Sequence, residues 1–219
     1  MYDRYRIIDI SQPISSRAAC FPGDTPFSRR VTVSYQESSV INLTAITMSP
    51  HVGTHADAPV HVTGDMNDGV GMAASLPLEY YFGPAVVIDV SPLDELIKVE
   101  HVAAKLDNFA DKPRRVLFKT SSLIRYEVFE EKYAYFSVDL IEEMASRNVI
   151  MMGIDTPSVD YIHSKTLDAH HALLKAEMCW LENLDLTQVE EGEYFLSALP
   201  LKFTEIEASP VRAVLLQSL

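Results

Sequence analysis

Three of the seven histidines in the chain fall in one short segment, as His51, His55 and His61, and Asp57 lies between the last two. Imidazole nitrogens and carboxylate oxygens are the ligands that zinc, manganese and iron take from proteins, and a divalent ion needs three or four such groups that converge. Histidines scattered in a loop by chance are the alternative interpretation, but one segment seldom supplies so many ligands. The segment therefore predicts a divalent-metal site and, with it, a metal-dependent hydrolase.

The backbone of this segment is not expected to be helical. The spacing of His51 and His55 resembles the helical His-x-x-x-His pair of zinc proteases, but the glutamate that acts there as base is missing. Gly53 and the two flanking prolines also disfavour a helix. A strand end followed by a tight loop is the better prediction. On such a backbone His55, Asp57 and, if the loop stays extended, His61 would point to one face.

A second group of polar residues lies in the last third of the chain. It comprises Gly153-Ile154-Asp155-Thr156-Pro157-Ser158, Ser164-Lys165-Thr166, His170-His171 and Leu181-Glu182-Asn183. Taken alone, Asp-Thr-Pro is an ordinary turn, and paired histidines in a helix are more often caps or core donors than ligands. Glu182 follows an apolar run, and a buried carboxylate is costly unless it is paired or bound to a metal. A structural and a functional interpretation of Glu182 are equally open.

These groups must be positioned by a framework of strands and short helices. Apolar patterns predict strands over residues 6–10, 30–35, 42–47, 85–90, 115–120, 149–154 and 211–216. The second and third strands are close enough to pair as a hairpin. Helical patterns cover residues 100–109, 137–146 and 168–176, the second with Ser137 as N-cap. The order of elements predicts an α/β fold, a single domain over residues 1–219 with a mixed β-sheet and short flanking helices.

Bulk properties exclude several classes of partner. The chain has 18 basic and 31 acidic residues and a net charge of −13, which repels phosphate backbones, so no nucleic acid is expected to bind. No apolar run is long enough for a membrane span, and the N-terminus does not resemble a signal peptide, so a cytoplasmic protein without a membrane partner is expected. Cys20 and Cys179 are expected to be reduced. For the aromatic and acidic segment 126–136, a packed surface is favoured over a lid or a subunit contact.

The segment from His51 to His61 matches a known signature without a gap. The pattern His-x-Gly-Thr-His-x-Asp-x-Pro-x-His belongs to the cyclase-like metal hydrolases, and the chain resembles the bacterial kynurenine formamidases among them. The likeness extends in the same order over nearly the whole chain. It includes Asp9-Ile10-Ser11-Gln12-Pro13, Pro22-Gly23-Asp24-Thr25-Pro26-Phe27, Gly153-Ile154-Asp155-Thr156-Pro157-Ser158, Ser164-Lys165-Thr166, His170-His171-Ala172 and Leu181-Glu182-Asn183.

The resemblance implies two divalent metal ions per subunit, with zinc expected first and manganese as the alternative. His51, His55 and Asp57 would bind the first ion, and Asp57 and Glu182 would bridge to the second. His170 would complete the shell of the second ion, with His171 as the poorer candidate. The same resemblance implies that His61 is the acid/base residue, that the fold is a mixed α/β sheet domain, and that the chain assembles as a homodimer or homotetramer.

One position departs from the family pattern. The family often has a tryptophan that stacks on the aromatic ring of the substrate, and this chain has Phe21 there. Phenylalanine can still stack, but it lacks the indole N–H donor. Phe21 is therefore the predicted substrate-binding residue, and the departure leaves the exact substrate open.

The function implied by the resemblance is the hydrolysis of an aryl formamide, N-formyl-L-kynurenine, to L-kynurenine and formate in tryptophan catabolism. A bound divalent ion would supply the ionised water that a poor electrophile such as an amide needs at neutral pH. The nearest alternative keeps the site and changes the substrate to a cyclic amide or ester, as in an isatin hydrolase or a lactone hydrolase. A metal-binding module without catalysis is the alternative from a different class. Cysteine and serine hydrolases are weaker alternatives, since Cys179 lies in an apolar run and no Gly-x-Ser-x-Gly sequence occurs.

Overall fold

The computed structural model describes residues 4–109 and 112–219. The strands in this part of the chain are β1 Tyr5–Asp9, β2 Ser28–Val33, β3 Leu43–Thr47, β4 His55–Asp57, β5 Phe82–Asp89, β6 Leu96–Ile97, β7 Arg115–Lys119, β8 Tyr135–Phe136, β9 Met151–Ile154, β10 Cys179–Glu182, β11 Gly192–Ser197, β12 Ala208–Pro210 and β13 Val214–Ser218. The helices are α1 Tyr35–Ser38, α2 Val60–Thr63, α3 Val99–Leu106, α4 Val138–Ser146 and α5 Asp168–Lys175.

Nine of the strands form one mixed sheet in the order β1-β13-β11-β5-β7-β9-β10-β4-β12. The four central strands β5, β7, β9 and β10 are parallel, and the strands on both sides of them are antiparallel. Parallel strands are joined by crossovers, and the three crossovers here contain α3, α4 and α5. The predicted mixed-sheet α/β fold with short flanking helices is confirmed.

The central strands are buried on both faces, as their nearly continuous apolar sequences require. On one face Val86, Val116, Phe118, Met152 and Trp180 pack against the apolar sides of α3, α4 and α5. On the other face the core includes residues of the antiparallel strands together with short 3₁₀ turns near Ala73 and Leu76. The sheet therefore separates two apolar layers, and the three longer helices cover only one of them.

The hairpin predicted from residues 30–35 and 42–47 is present as β2 and β3, which pair antiparallel outside the main sheet. No residue of these two strands, all of which are described, is buried. Val31 is 50% and Ile46 is 60% exposed. The turn between the strands adds exposed apolar side chains at Tyr35, Val40 and Ile41. The hairpin thus presents an apolar surface that the described residues do not cover.

Most of the predicted elements are found, with ends that differ by a few residues. Ser137 caps α4 as predicted, because its hydroxyl accepts the backbone N–H of Leu140 at 3.1 Å. The predictions missed β6, β8, β11 and β12, whose short sequences lack a continuous apolar or alternating pattern long enough to be recognised. Within residues 4–109 and 112–219, no helix combines the length and apolar character needed to cross a bilayer.

Candidate metal centre

The centre is built on β4, a strand of three buried residues between two other strands. His55 and Asp57 are two residues apart on this strand, so their side chains project from the same face. In the antiparallel pair of β4 and β10, Glu182 lies directly opposite His55. As a result His55 Nε2 is 3.2 Å from Glu182 Oε2 and 3.4 Å from Asp57 Oδ1. The sheet register brings together residues that are distant in sequence.

His51 reaches the same carboxylate from the turn that precedes β4. Its Nδ1 is 3.0 Å from Asp57 Oδ1, and its Nε2 is 3.4 Å from Glu207 Oε1. Gly53 closes this turn with a φ of +74°, a conformation that strongly favours glycine. The carbonyl of Gly53 accepts a hydrogen bond from His55 Nδ1 at 2.9 Å. This contact places the Nδ1 proton toward the carbonyl, so that Nε2 is the nitrogen that faces the carboxylates.

His170 approaches from the opposite side, on the first turn of α5. Its Nε2 is 3.5 Å from Asp57 Oδ2 and 3.6 Å from Glu182 Oε1. Its Nδ1 is 2.6 Å from Asp160, whose carboxylate also accepts the backbone N–H groups of Ala169 and His170. Asp160 therefore orients both the ring and the start of the helix. The neighbouring His171, predicted as the poorer ligand, is exposed.

The two carboxylates are also held by neutral donors. Trp180 Nε1 donates to Asp57 Oδ2 at 3.0 Å, and the backbone N–H of Val159 donates to Glu182 Oε1 at 2.9 Å. Sequence reasoning missed Trp180 here, as it missed Asp160 and Glu207. A tryptophan inside an apolar strand is normally assigned to the hydrophobic core. An isolated acidic residue in a loop has no local sequence pattern that identifies it as the partner of a histidine.

His61 lies at the edge of the centre. The loop after Asp57 does not stay extended, which was the condition for His61 to share the face of His55 and Asp57, because residues 60–63 form α2, one helical turn that begins directly after Pro59. His61 nevertheless stays close, with its ring centroid 4.5 Å from that of His51 and 5.6 Å from that of His170. Ligand atoms of His51, Asp57 and His61 lie within 4.8 Å of one another, as do those of His55, Asp57 and Glu182.

The residues present fit a divalent cation. Within the described chain, His55 Nε2 and Asp57 Oδ1 are buried and have no hydrogen-bond partner. An unsatisfied buried polar atom costs about 1–3 kcal/mol, and here both atoms are ligand types that face the same space. A nitrogen and oxygen donor set without cysteine suits zinc or manganese in a site that keeps open positions.

The electrostatics of the centre also favour positive charge. Burial lowers the pKa of His55 and of His170, but the neighbouring carboxylates outweigh burial and raise both pKa values to about 10. The pKa of His51 is raised to about 9 by Asp57 and Glu207 against the effect of burial. The pKa of Asp57 lies well below its ordinary value, because the imidazoles outweigh its burial. Burial lowers the pKa of His61.

A cavity of about 1020 Å³ opens onto the centre, and His51, His61, His170 and Glu182 form part of its wall. Phe21 lies at this cavity and is 40% exposed, with its ring 5.2 Å from that of Phe129 in an edge-to-face contact. The structure brings the predicted metal ligands, His61 and Phe21 to one cavity.

The segment 126–136 borders this cavity, contrary to the expectation of a plain packed surface. Its cavity-lining members are Tyr126, Val128, Phe129, Glu130, Lys132, Tyr133 and Ala134. The backbone carbonyl of Tyr126 accepts the N–H of Ala19 at 2.7 Å, which ties this segment to the loop that carries Phe21. The amphipathic composition of the segment reflects a wall that faces both the cavity and the solvent.

Known proteins share both the sequence and the fold. The family model described as "Putative cyclase" matches residues 8–161. The chain is 44% identical to the kynurenine formamidase of Bordetella avium (strain 197N) over 210 residues, which cover 96% of this chain and 97% of that protein. The structure of isatin hydrolase A from Labrenzia aggregata bound to benzyl benzoate superposes with a TM-score of 0.83 at 25% identity, covering 98% of this chain and 94% of that one. A predicted metal-dependent hydrolase from Bacillus stearothermophilus gives a TM-score of 0.79 at 25% identity, covering 97% and 98%.

Proposed function

Because the chain belongs to the cyclase family and to the kynurenine formamidases within it, we propose that it hydrolyses N-formyl-L-kynurenine to L-kynurenine and formate. In this reaction the C–N bond of the formamide breaks, the oxygen of water joins the formyl carbon, and the aniline nitrogen takes up a proton. The chain is a metal-dependent amide hydrolase on this basis. The step belongs to the breakdown of tryptophan.

The observation that carries the proposal is the convergence of three imidazoles and two carboxylates on one centre. His51, His170 and Glu182 of this centre line the cavity, and behind them His55 Nε2 and Asp57 Oδ1 are buried without a hydrogen-bond partner in the described chain. His51 and His55 lie on one side of the carboxylate of Asp57, next to Oδ1, and His170 lies next to Oδ2. Glu182 likewise has Oε2 near His55 and Oε1 near His170. Each carboxylate therefore faces both groups of histidines.

This arrangement supports two ions, with zinc favoured. His51, His55 and Asp57 would hold one ion, and His170 and Glu182 would hold the other, with Asp57 and Glu182 shared between them. When bound, such ions lower the pKa of a coordinated water from near 16 toward about 7 and polarise a carbonyl oxygen. Gly53, Asp160, Trp180 and the N–H of Val159 fix the ligands before a cation arrives, which reduces the cost of binding it.

His61 and Phe21 are the residues proposed to act on the substrate. From its place between His51 and His170, His61 can take a proton from the attacking water at an imidazole nitrogen and return it to the aniline nitrogen. Phe21, against Phe129, offers a ring face or edge to the aromatic ring of the substrate.

The first experiment joins metal analysis to an assay. We expect protein purified without added metal to contain about two divalent ions per chain and to release formate from N-formyl-L-kynurenine. A strong chelator should abolish turnover, and zinc should restore it, whereas buffer dialysis alone should leave it unchanged. A thoroughly demetallated chain that still turns over the substrate would refute the proposal.

Replacing His61 separates its role from that of the ligands. We expect His61→Ala to lower kcat by about 100-fold or more while the metal content stays at the wild-type value, because the loss is that of an acid/base group. His171→Ala is the matched control, since His171 is exposed and lies beside a ligand without reaching the centre. If the His61→Ala variant loses metal together with activity, His61 is a metal ligand. If the variant keeps wild-type activity, His61 is neither a ligand nor the acid/base residue.

An isatin or lactone hydrolase is the second candidate, favoured by Phe21 at the position of the family tryptophan and by the likeness to isatin hydrolase A. The identity of 44% to a kynurenine formamidase against 25% to the isatin hydrolase favours the formamide. Parallel assays with N-formyl-L-kynurenine, isatin and a lactone decide between them through the ratio of their kcat/KM values.

The assembly and the compartment are also proposals. The uncovered apolar hairpin of β2 and β3 supports a homodimer or homotetramer, because a two-stranded hairpin is at best marginally stable by itself in water. Two reduced cysteines support a place in the cytoplasm, where thiols are kept reduced. A single functional domain spanning residues 1–219 is part of the same proposal.

A further inference from the structure

Tyr133 lines the cavity, and its hydroxyl lies close to the side chain of Ser158 without forming a hydrogen bond of good geometry with it. The residue is only 7% exposed, and its Oη is buried without a hydrogen-bond partner. A buried hydroxyl left unpaired costs about 1–3 kcal/mol, and phenylalanine would fill the same space without that cost. Tyr133 is one of the residues that form the cavity wall, together with His61, His170 and Glu182.

The backbone holds Tyr133 in place through the loop that supports the metal centre. The carbonyl of Ala134 accepts a hydrogen bond from Thr156 Oγ1 at 3.0 Å, and Phe136 N–H donates to the carbonyl of Val159 at 2.9 Å. Val159 is the residue whose N–H holds Glu182, and Asp160 beside it holds His170. Tyr133 is therefore attached to the same loop that positions two of the proposed ligands.

The hydroxyl is a donor rather than an acid in this setting. Burial raises the pKa of Tyr133, and the charges of Glu182 and Asp160 raise it further. The group keeps its proton near neutral pH and can present it to an oxygen inside the cavity. The proposed ligand carboxylates Asp57 and Glu182 only accept hydrogen bonds when ionised, so a neutral donor adds what they cannot supply.

We propose that the Tyr133 hydroxyl donates a hydrogen bond to the oxygen of the scissile formyl group, and that this bond strengthens as negative charge develops on that oxygen. The inference rests on the proposed formamidase function and adds a residue to it. Tyr133 keeps its proton throughout, and no covalent bond to it forms or breaks. A preorganised donor of this type acts in the transition state more than in the bound substrate, so it raises kcat rather than lowering KM.

The test compares Tyr133→Phe with the wild type on N-formyl-L-kynurenine and on formanilide, an aryl formamide without the ketone and the amino-acid group. We expect kcat to fall about 100-fold on both substrates, with KM changed less than about threefold. Metal content should stay at the wild-type value. The melting temperature should be unchanged or higher, because the substitution removes an unpaired buried hydroxyl, whereas loss of a structural hydrogen bond would lower it.

Tyr81→Phe is the matched control. Tyr81 also carries a buried hydroxyl without a partner, but it lies beside Cys179 in the core and is not among the residues that line the cavity. The Tyr81→Phe enzyme should keep the wild-type kcat on both substrates. A Tyr133→Phe enzyme with unchanged kcat, with a raised KM alone, or with a defect that disappears on formanilide would overturn the inference. A wild type inactive on both formamides would instead refute the proposed function.

Discussion

At the scale of single residues, each proposed ligand has a second contact that sets its orientation. Asp160 performs this task for His170 most directly, because its carboxylate is 2.6 Å from Nδ1 and leaves Nε2 toward the centre. A carboxylate behind a ligating imidazole fixes the tautomer and raises the basicity of the other nitrogen. The centre is thus organised by groups that would never touch the ion.

Asp160→Asn tests this role with a side chain of the same size. We expect the affinity for one of the two ions to fall about 10–100-fold, so that one ion is lost at a chelator concentration that leaves both in the wild type. Competition with a chromogenic chelator measures the change. Asp168→Asn is the control, since Asp168 is an exposed acid on the first turn of the same helix. If the Asp160→Asn variant retains both ions as the wild type does, Asp160 does not have the proposed role of orienting His170.

At the scale of elements, the hairpin of β2 and β3 leads directly into the segment that carries His51. Antiparallel register places Val31 and Ile46 on one face, since Arg29 lies opposite Ile46 and Val31 lies opposite Thr44. An exposed apolar surface on a paired ribbon marks a site of association. The family resemblance implies that a second copy of the chain binds to this surface of the hairpin.

Ile46→Asp tests that association. We expect the substitution to shift the protein from an oligomer to a monomer in size-exclusion chromatography with light scattering, because it buries a charge in the proposed interface. Val70→Asp is the control, since Val70 is 72% exposed and lies outside the hairpin. A wild type that is already monomeric, or an Ile46→Asp variant that keeps its oligomeric state, would count against the hairpin as the interface.

At the scale of the whole molecule, the cavity lies at the carboxyl ends of the parallel strands. Its wall includes residues that follow β5, β7 and β9 and residues at the end of β10. Asp155, directly after β9, accepts hydrogen bonds from Thr120 directly after β7, which joins two of these strand ends. Ligands of open α/β sheets bind in the crevice outside the carboxyl ends of the parallel strands. The net charge of the chain is −13, and at this edge the carboxylates of Asp57 and Glu182 give the centre its preference for positive charge.

The sequence alone determined the chemistry of the segment from His51 to His61, the central apolar strands and the cap of α4. These features depend on residue type and on neighbours within a few positions, so they can be recognised without coordinates. The tertiary structure decided which distant groups join that segment. Trp180 contacts Asp57 across 123 positions of sequence, and Glu182 meets His55 only because β10 pairs with β4. Asp160, Glu207 and Tyr133 gain their roles in the same way, since long-range pairing and burial have no local pattern that would reveal them.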